Sequence, residues 1–397
     1  MKETHSSVPG GPTADISAYI SAAIEKPLPE LVAEKTKCHL LDSLAAMISG
    51  SRLKPGMIAA KFAKSLGGPP DSTVAGTDIL IPAVHAAMAN GMAAHADETD
   101  DSHLGGRFHP GCAIVPAALA VAEREKSSGN DLLRAVALGY DIGARSTMAL
   151  GFSGPKTGTH STHSLGAAFG SAAASGALLK LSPLQTAWML SYTVQQASGV
   201  PYWHRDPEHI EKSFDFGGMG ARNGVYSALM AAAGCSGVPD ALTGEHSYLS
   251  AFAEKPKPEE LTRDLGKRFE IMAASIKKWC VGSPIQAALD SLLAIINEHE
   301  ISIGNIKFLT VHMPDDRLHI VNDRDIPDIC LQHLLAVMVA DGGLTFASAH
   351  DVSRMSDPEI LELRKKIKAV PSPELTVARP ARQSIIEIET HDGRHLK

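Results

Sequence analysis

Apolar positions recur every three to four residues through most of the chain between about Asp15 and Gly234, the period of helices with one buried face. KTKCHLLDSLAAMISG, from Lys35, has this spacing and a stop at Gly50. IPAVHAAMANGMAAHA from Ile81, AIVPAALAVAEREK from Ala113, DLLRAVALGYDIGARSTMAL from Asp131 and PLQTAWMLSYTVQQASG from Pro183 continue the series. LGAAFGSAAASGALL, Leu165 to Leu179, lacks a polar face but is built of Gly, Ala and Ser. It is shorter than the roughly 18 apolar residues of a membrane span and reads as a buried, closely packed helix.

The pattern changes after about Glu254. KPKPEELTRDLGKRFE is charged and carries Pro, a linker or surface helix. IGNIKFLTVHMP, from Ile303, alternates as a strand does, and SIIEIETHDGRHLK, from Ser384, reads as a second strand followed by an Asp-Gly turn. Between them CLQHLLAVMVADGG and SDPEILELRKKIKAV read as helices. The expectation is a mainly α protein: a large all-helical domain over residues 1–262 and a smaller α+β domain over 263–397. A strand ending in Asp-Gly calls for a partner, and the sequence runs on only briefly, so the second domain reads as C-terminally short.

Composition narrows the function class. An apolar share of 44% with 20% charged residues suits a large-cored globular protein. A net charge of −7 and 5% aromatic residues give no basic or base-stacking footprint, so no nucleic acid or membrane partner is expected. Cys38, Cys112, Cys235, Cys280 and Cys330 are scattered and form no CxxC pair, which suits reduced thiols in the cytoplasm. The polar opening residues read as a loose tail rather than a secretory signal.

Candidate chemistry concentrates in HADETDDSHLGGRFHPG, His95 to Gly111, where histidines and acids crowd beside turn formers. Three readings compete: a metal site using His95, Asp100 and His103; a solvated capping loop; and an acid/base site, since imidazole titrates near neutrality and a carboxylate can orient it. THSTHSLGAAFGSAAA places His160 and His163 just before the small-residue helix. HIEKSFDFGGMGARNG sets Lys212 beside glycines, without the GK[ST] of a phosphate loop. IKKWCVGSPIQAALD sets Lys277 and Lys278 before a turn.

Taken in order, these segments resemble the MmgE/PrpD family, which includes 2-methylcitrate dehydratase, cis-aconitate decarboxylase and iminodisuccinate epimerase. LLDSLAAMISG is similar to the family's opening helix. NGMAAHADETDDSHLGGRFHPGCAIVPAALAVAE is similar to its His-Ala, carboxylate, Asp-Asp-Ser/Thr, His-Pro-Gly/Ser series. HSTHSLGAAFGSAAA, EKSFDFGGMGARNG, KKWCVGSPIQAALD and HLLAVMVADGGLTF follow its later motifs. The resemblance implies a homodimer without metal or organic cofactor. It implies a lyase making or quenching a carbanion beside a carboxylate, on a small di- or tricarboxylate. Dehydration of the 2-methylcitrate type comes first, then cis-aconitate-type decarboxylation or iminodisuccinate-type epimerisation; an impaired carboxylate-binding relative is a further alternative.

Carried onto this chain, the resemblance makes His109, Glu98, His160, Lys212 and Lys277 the catalytic candidates. Lys278 neighbours Lys277 in the same motif, and Asp101 and Ser102 fit its acidic pattern. Arg107 is a candidate carboxylate clamp, because guanidinium binds carboxylates bidentately. Gln286 and His333 complete the substrate-binding set. Departures cluster in the pocket: Glu98 where most members have Asp, Asp215 and Gln286 where His is common, His333 where decarboxylase-like members have Tyr, and Gly-Gly-Arg before His109.

Overall fold

In the computed structural model of the protein, residues 8–397 are described; the first seven residues of the polar opening lie outside them. The described chain forms two compact units. The first runs to Ala96 and resumes over Asp100–Ile276; the second is Asp97–Thr99 with Lys277–Lys397.

The first unit is built of helices α1 (Pro12–Ala22), α2 (Glu30–Gly50), α3 (Lys54–Ser65), α4 (Ala83–Ala94), α5 (Gly111–Glu125), α6 (Gly129–Met148), α7 (Thr162–Leu178), α8 (Pro183–Gln195), α9 (Ile210–Ser213) and α10 (Met219–Ala232). Each helical stretch expected from the patterning is present. Helix α7 is buried from Ser164 to Leu178. Its small residues permit a close crossing with α6: a Cβ on Gly139 would lie 2.9 Å from the Gly170 carbonyl oxygen. Such backbone contact leaves no room for side chains, and interiors are packed too tightly to open one cheaply. Short pairs β1 (Ser72–Thr73) with β2 (Leu80–Ile81), and β3 (Ser102–His103) with β4 (Ala274–Ser275), tie loops to the bundle.

Residues 263–276 stay with this helical unit, so the boundary falls later than the 262/263 division expected from the sequence. The buried Arg145 explains it. Its guanidinium pairs with Asp141 one helical turn away and donates to the carbonyl oxygens of Arg263 and Arg268, while Asp141 accepts from the Glu270 amide. A buried charge needs this many partners, and the segment that supplies them is held.

The second unit carries a sheet of order β6-β5-β7-β8: β5 (Ile306–Pro314), β6 (Ile367–Ser372), β7 (Ile385–Thr390) and β8 (His395–Leu396). β5 pairs parallel with β6 and antiparallel with β7. Helices Gln286–Glu298, Leu331–Asp341 and Pro358–Lys365 cover its apolar face. The α+β expectation holds, with two corrections. The stretch read as one helix to Val370 ends at Lys365, and its Ile-Lys-Ala-Val tail is strand β6. The partner sought after the Asp-Gly turn is β8, where Ile388 faces Leu396. Among the described residues no helix is long and apolar enough to cross a membrane.

Candidate active site

The acid cluster joins the end of α4 to the start of α5, and its conformation is fixed at both edges. Asp101 is fully buried. One carboxylate oxygen accepts from the Gly111 amide at 2.9 Å, satisfying a first-turn N–H of α5. The other accepts from the Tyr140 hydroxyl at 2.6 Å and faces His39 Nδ1 at 2.5 Å. Burial, then Asp101, pushes the Tyr140 hydroxyl well above its usual pKa, so it remains a donor. Downstream, His103 Nδ1 accepts from the Gly106 amide while Nε2 faces Glu270 at 3.3 Å, and His103 and Phe108 pair through their backbones. The loop is thus set from three sides, and His109 is delivered immediately before α5.

Asp100 is buried among the residues this frame holds. Its Oδ1 meets His95 Nδ1 at 2.9 Å, and its Oδ2 faces His109 Nδ1 at 3.3 Å. Around this triad lies an aromatic cage. Phe216 stacks on His95 with centroids 4.3 Å apart and on His163 at 3.7 Å. The His109 ring lies 5.2 Å from His95 and 5.4 Å from His163, and His209 lies 5.3 Å from His95. Lys212, buried apart from 8% of its surface, holds Nζ 5.2 Å from both the Trp203 and Phe216 ring centres. Phe216 belongs to a π-helical turn, Phe214–Gly218, between α9 and α10. Such turns interrupt the helical ladder and often mark functional sites. Asp215, in the same turn, accepts from Ser161 Oγ at 2.5 Å; burial pushes its pKa up to about 6 against the pull of Ser161 and His95.

In the second unit, Glu98 and Lys277 lie together. The Lys277 ammonium donates to the Glu98 carbonyl and lies 3.9 Å from its carboxylate, with both side chains nearly fully buried. Glu98 adopts φ 63°, a costly conformation for a residue with a Cβ. Asp328, also buried here, has its carboxyl pKa pushed up to about 7, first by burial; His350 opposes the shift, and Glu98 and Asp97 add to it. His333 is fully buried, its ring nitrogens without hydrogen-bond partners among the described residues, and burial lowers its pKa to about 4.

The structure therefore brings His109 and Lys212 together in one unit and Glu98 and Lys277 in the other. Other candidates are placed elsewhere. His160 packs on Phe252, with centroids 4.8 Å apart, and it is His163 whose ring reaches His109. Asp101 is spent on the frame described above. Arg107 is exposed, with its guanidinium over the Phe152 ring at 4.3 Å. Ser102 is half-buried and pairs with Ser275 in β3. Lys278 is exposed and paired with Asp290 at 2.7 Å, so Lys277 is the buried lysine of the two. The Gln286 amide is consumed by the Trp279 amide and by the Trp279 and Val281 carbonyls. His103 turns to Glu270, so the His95, Asp100, His103 grouping does not form. Sequence reasoning passed over His209, Phe216, Asp328 and the orienting part of Asp100; the crowding of His95–Gly111 was the signal for the last.

Residues 14–261 match the MmgE/PrpD N-terminal domain and residues 279–397 the MmgE/PrpD C-terminal domain. The chain is 29% identical over 303 residues to the cis-aconitate decarboxylase-like protein oryM of Aspergillus oryzae, a match covering 71% of this chain and 61% of that protein. It is 26% identical over 370 residues to the cis-aconitate decarboxylase of Homo sapiens, covering 86% of this chain and 73% of the relative. It is 27% identical over 398 residues to that of Aspergillus terreus, covering 91% and 79%.

Proposed function

The chain belongs to the MmgE/PrpD family, and we propose that it is a lyase that moves a proton at a carbon beside a carboxylate of a small di- or tricarboxylic acid. The observation that carries this reading is Asp100 facing Nδ1 of both His95 and His109 from a buried position. A carboxylate there holds the proton on Nδ1 and leaves Nε2 with its lone pair, the tautomer a base needs; it also stabilises the imidazolium formed when Nε2 takes a proton. His109, 8% exposed, is the base of the pair, and the more deeply buried His95 shares its orienting carboxylate.

A carbon beside a carboxylate is a poor acid, so the developing charge must also be stabilised. Lys212 supplies an ammonium where aromatic surfaces exclude water, and charge stabilisation is stronger in such surroundings. In the second unit, Lys277 beside Glu98 remains a candidate for holding a carboxylate. We assign His163, rather than His160, as the neighbouring imidazole that returns a proton. His333, in the second unit, is held neutral by burial.

Two reactions share this step. The names of the curated relatives favour loss of carbon dioxide from cis-aconitate. Loss of water from a 2-methylcitrate-type acid is the second reading. Incubation of the protein with each acid, following carbon dioxide release and alkene formation separately, tests them; no product from either counts against the lyase assignment. A homodimer is also proposed. It would form through the exposed stripe of Ile58 and Phe62 on α3 and Leu66 at its C-cap, at the i, i+4, i+8 spacing of one helix face.

A further inference from the structure

The carboxylate of Asp100 offers each of its oxygens to Nδ1 of a different imidazole, at 2.9 Å and 3.3 Å. His95, Asp100 and His109 each present a ligand atom within 4.8 Å of the other two, and all three are buried. Two imidazoles and one carboxylate are the donors that zinc, cobalt and ferrous ions take, at bond lengths of about 2.0–2.2 Å for zinc. Magnesium and calcium prefer all-oxygen shells and are poorly served by this set. Ligands on one such ion lie roughly 3–3.5 Å apart, as follows from those bond lengths at tetrahedral angles, so the His109 spacing of 3.3 Å already suits a shared ion and the His95 spacing of 2.9 Å needs only a slight opening.

We propose that His95, Asp100 and His109 bind a divalent transition-metal ion, and that the ion inhibits the protein by taking the tautomer its chemistry depends on. Without metal, His95 Nδ1 is hydrogen-bonded to Asp100 and His109 Nδ1 faces its other oxygen at 3.3 Å, a carboxylate field that favours the proton on Nδ1 and the lone pair on Nε2 of each ring. A metal held at Nδ1 requires the lone pair there, so each neutral ring must move its proton to Nε2. No proton is lost overall, but His109 Nε2 becomes a donor and can no longer accept one. The frame around the loop favours such a site: His95 ends α4, His109 directly precedes α5, and Asp101 pins the turn between them. The binding half stands on the geometry of the triad alone. The inhibitory half rests on His109 being the base.

Cobalt(II) is the probe, because its visible d–d absorption reports imidazole and carboxylate ligation. Titration of the full chain is expected to saturate at one ion per chain. Asp100→Asn and His95→Gln should each weaken binding by about tenfold or more. His246→Ala, at an exposed histidine, should leave it unchanged. Thermal melts verify that the variants fold, and either variant alone decides the point should the other fail to fold. Proton exchange into a substrate acid should fall as cobalt saturates and recover on chelation. Absence of saturable absorption in the wild-type chain, or equal affinity in both variants, overturns the site. Undiminished exchange at saturating cobalt overturns the inhibitory half. If no acid is exchanged even without metal, the lyase reading fails, while the titration still decides the site.

Discussion

At the residue scale, the central group is Asp100. Asp100→Asn keeps the shape but loses the charge that fixes both imidazoles; a catalytic loss of about 10²–10⁴-fold is expected in kcat, with the melting temperature little changed. A comparable loss is expected for His109→Gln, and a smaller one for His160→Ala, which sits away from the cage. Asp215 provides a pH test. Its folded pKa of about 6 lies above the ordinary value of 3.8, so the folded chain binds the proton more tightly than the unfolded one. The stability this contributes is complete below about pH 4 and is lost as pH rises to about 6. Thermal melts of Asp215→Asn should therefore show a shallower decline across that window, by an amount on the order of 3 kcal/mol at most. Much of this site was legible in sequence, because His-Pro-Gly after an acidic run is an unusual pairing of titratable groups with fixed backbone. The choice between His160 and His163 was not legible. The two lie three residues apart across a helix start, and only the inward turn of α7 decides which ring reaches His109.

At the scale of elements, the cage depends on α4 and the π-helical turn approaching backbone to backbone. A Cβ on Gly217 would lie 2.1 Å from the Gly91 carbonyl oxygen. Gly217→Ala must push the turn away from α4 and is expected to cost about 1–3 kcal/mol in a denaturant melt. Phe216→Ala removes the ring held between His95 and His163, with an expected cost of about 3–5 kcal/mol and looser imidazoles. The sequence identified this segment's glycines, but it could not say that they meet a second helix. Helix α2 shows the limit of periodicity most clearly. Its buried face carries Thr36, His39 and Ser43, while Leu41 and Ile48 stay exposed. Apolar spacing predicted the helix correctly, and polar partners such as Asp101 decided which side turned inward. Strand β6 was hidden for a related reason: its Lys368 continues the charge pattern of the preceding helix, and the pairing with β5 is formed with residues some 58 positions away, as Leu309 with Ile367.

At the scale of the whole molecule, the mainly α first unit and the α+β second unit were both legible, since each has its own period of burial. Assembly was not, because an exposed apolar side chain on α2 or α3 carries no mark in sequence that separates it from a core residue. Sedimentation of the wild-type chain should give a dimer, and Phe62→Glu, on a residue 53% exposed, should shift it toward monomer without lowering the melting temperature of the monomer fold. A wild-type monomer at micromolar concentration would remove the proposed interface. The claim from which the rest follows is that the Asp100–His109 pair moves a proton at a carbon beside a carboxylate. Proton NMR in D₂O, with the protein and a panel of cis-aconitate, citrate, 2-methylcitrate and iminodisuccinate, tests it most directly. Deuterium is expected to enter such a carbon of at least one acid or of its product, and that incorporation is expected to be lost in Asp100→Asn. Folded wild-type protein that incorporates no deuterium into any of them would contradict it.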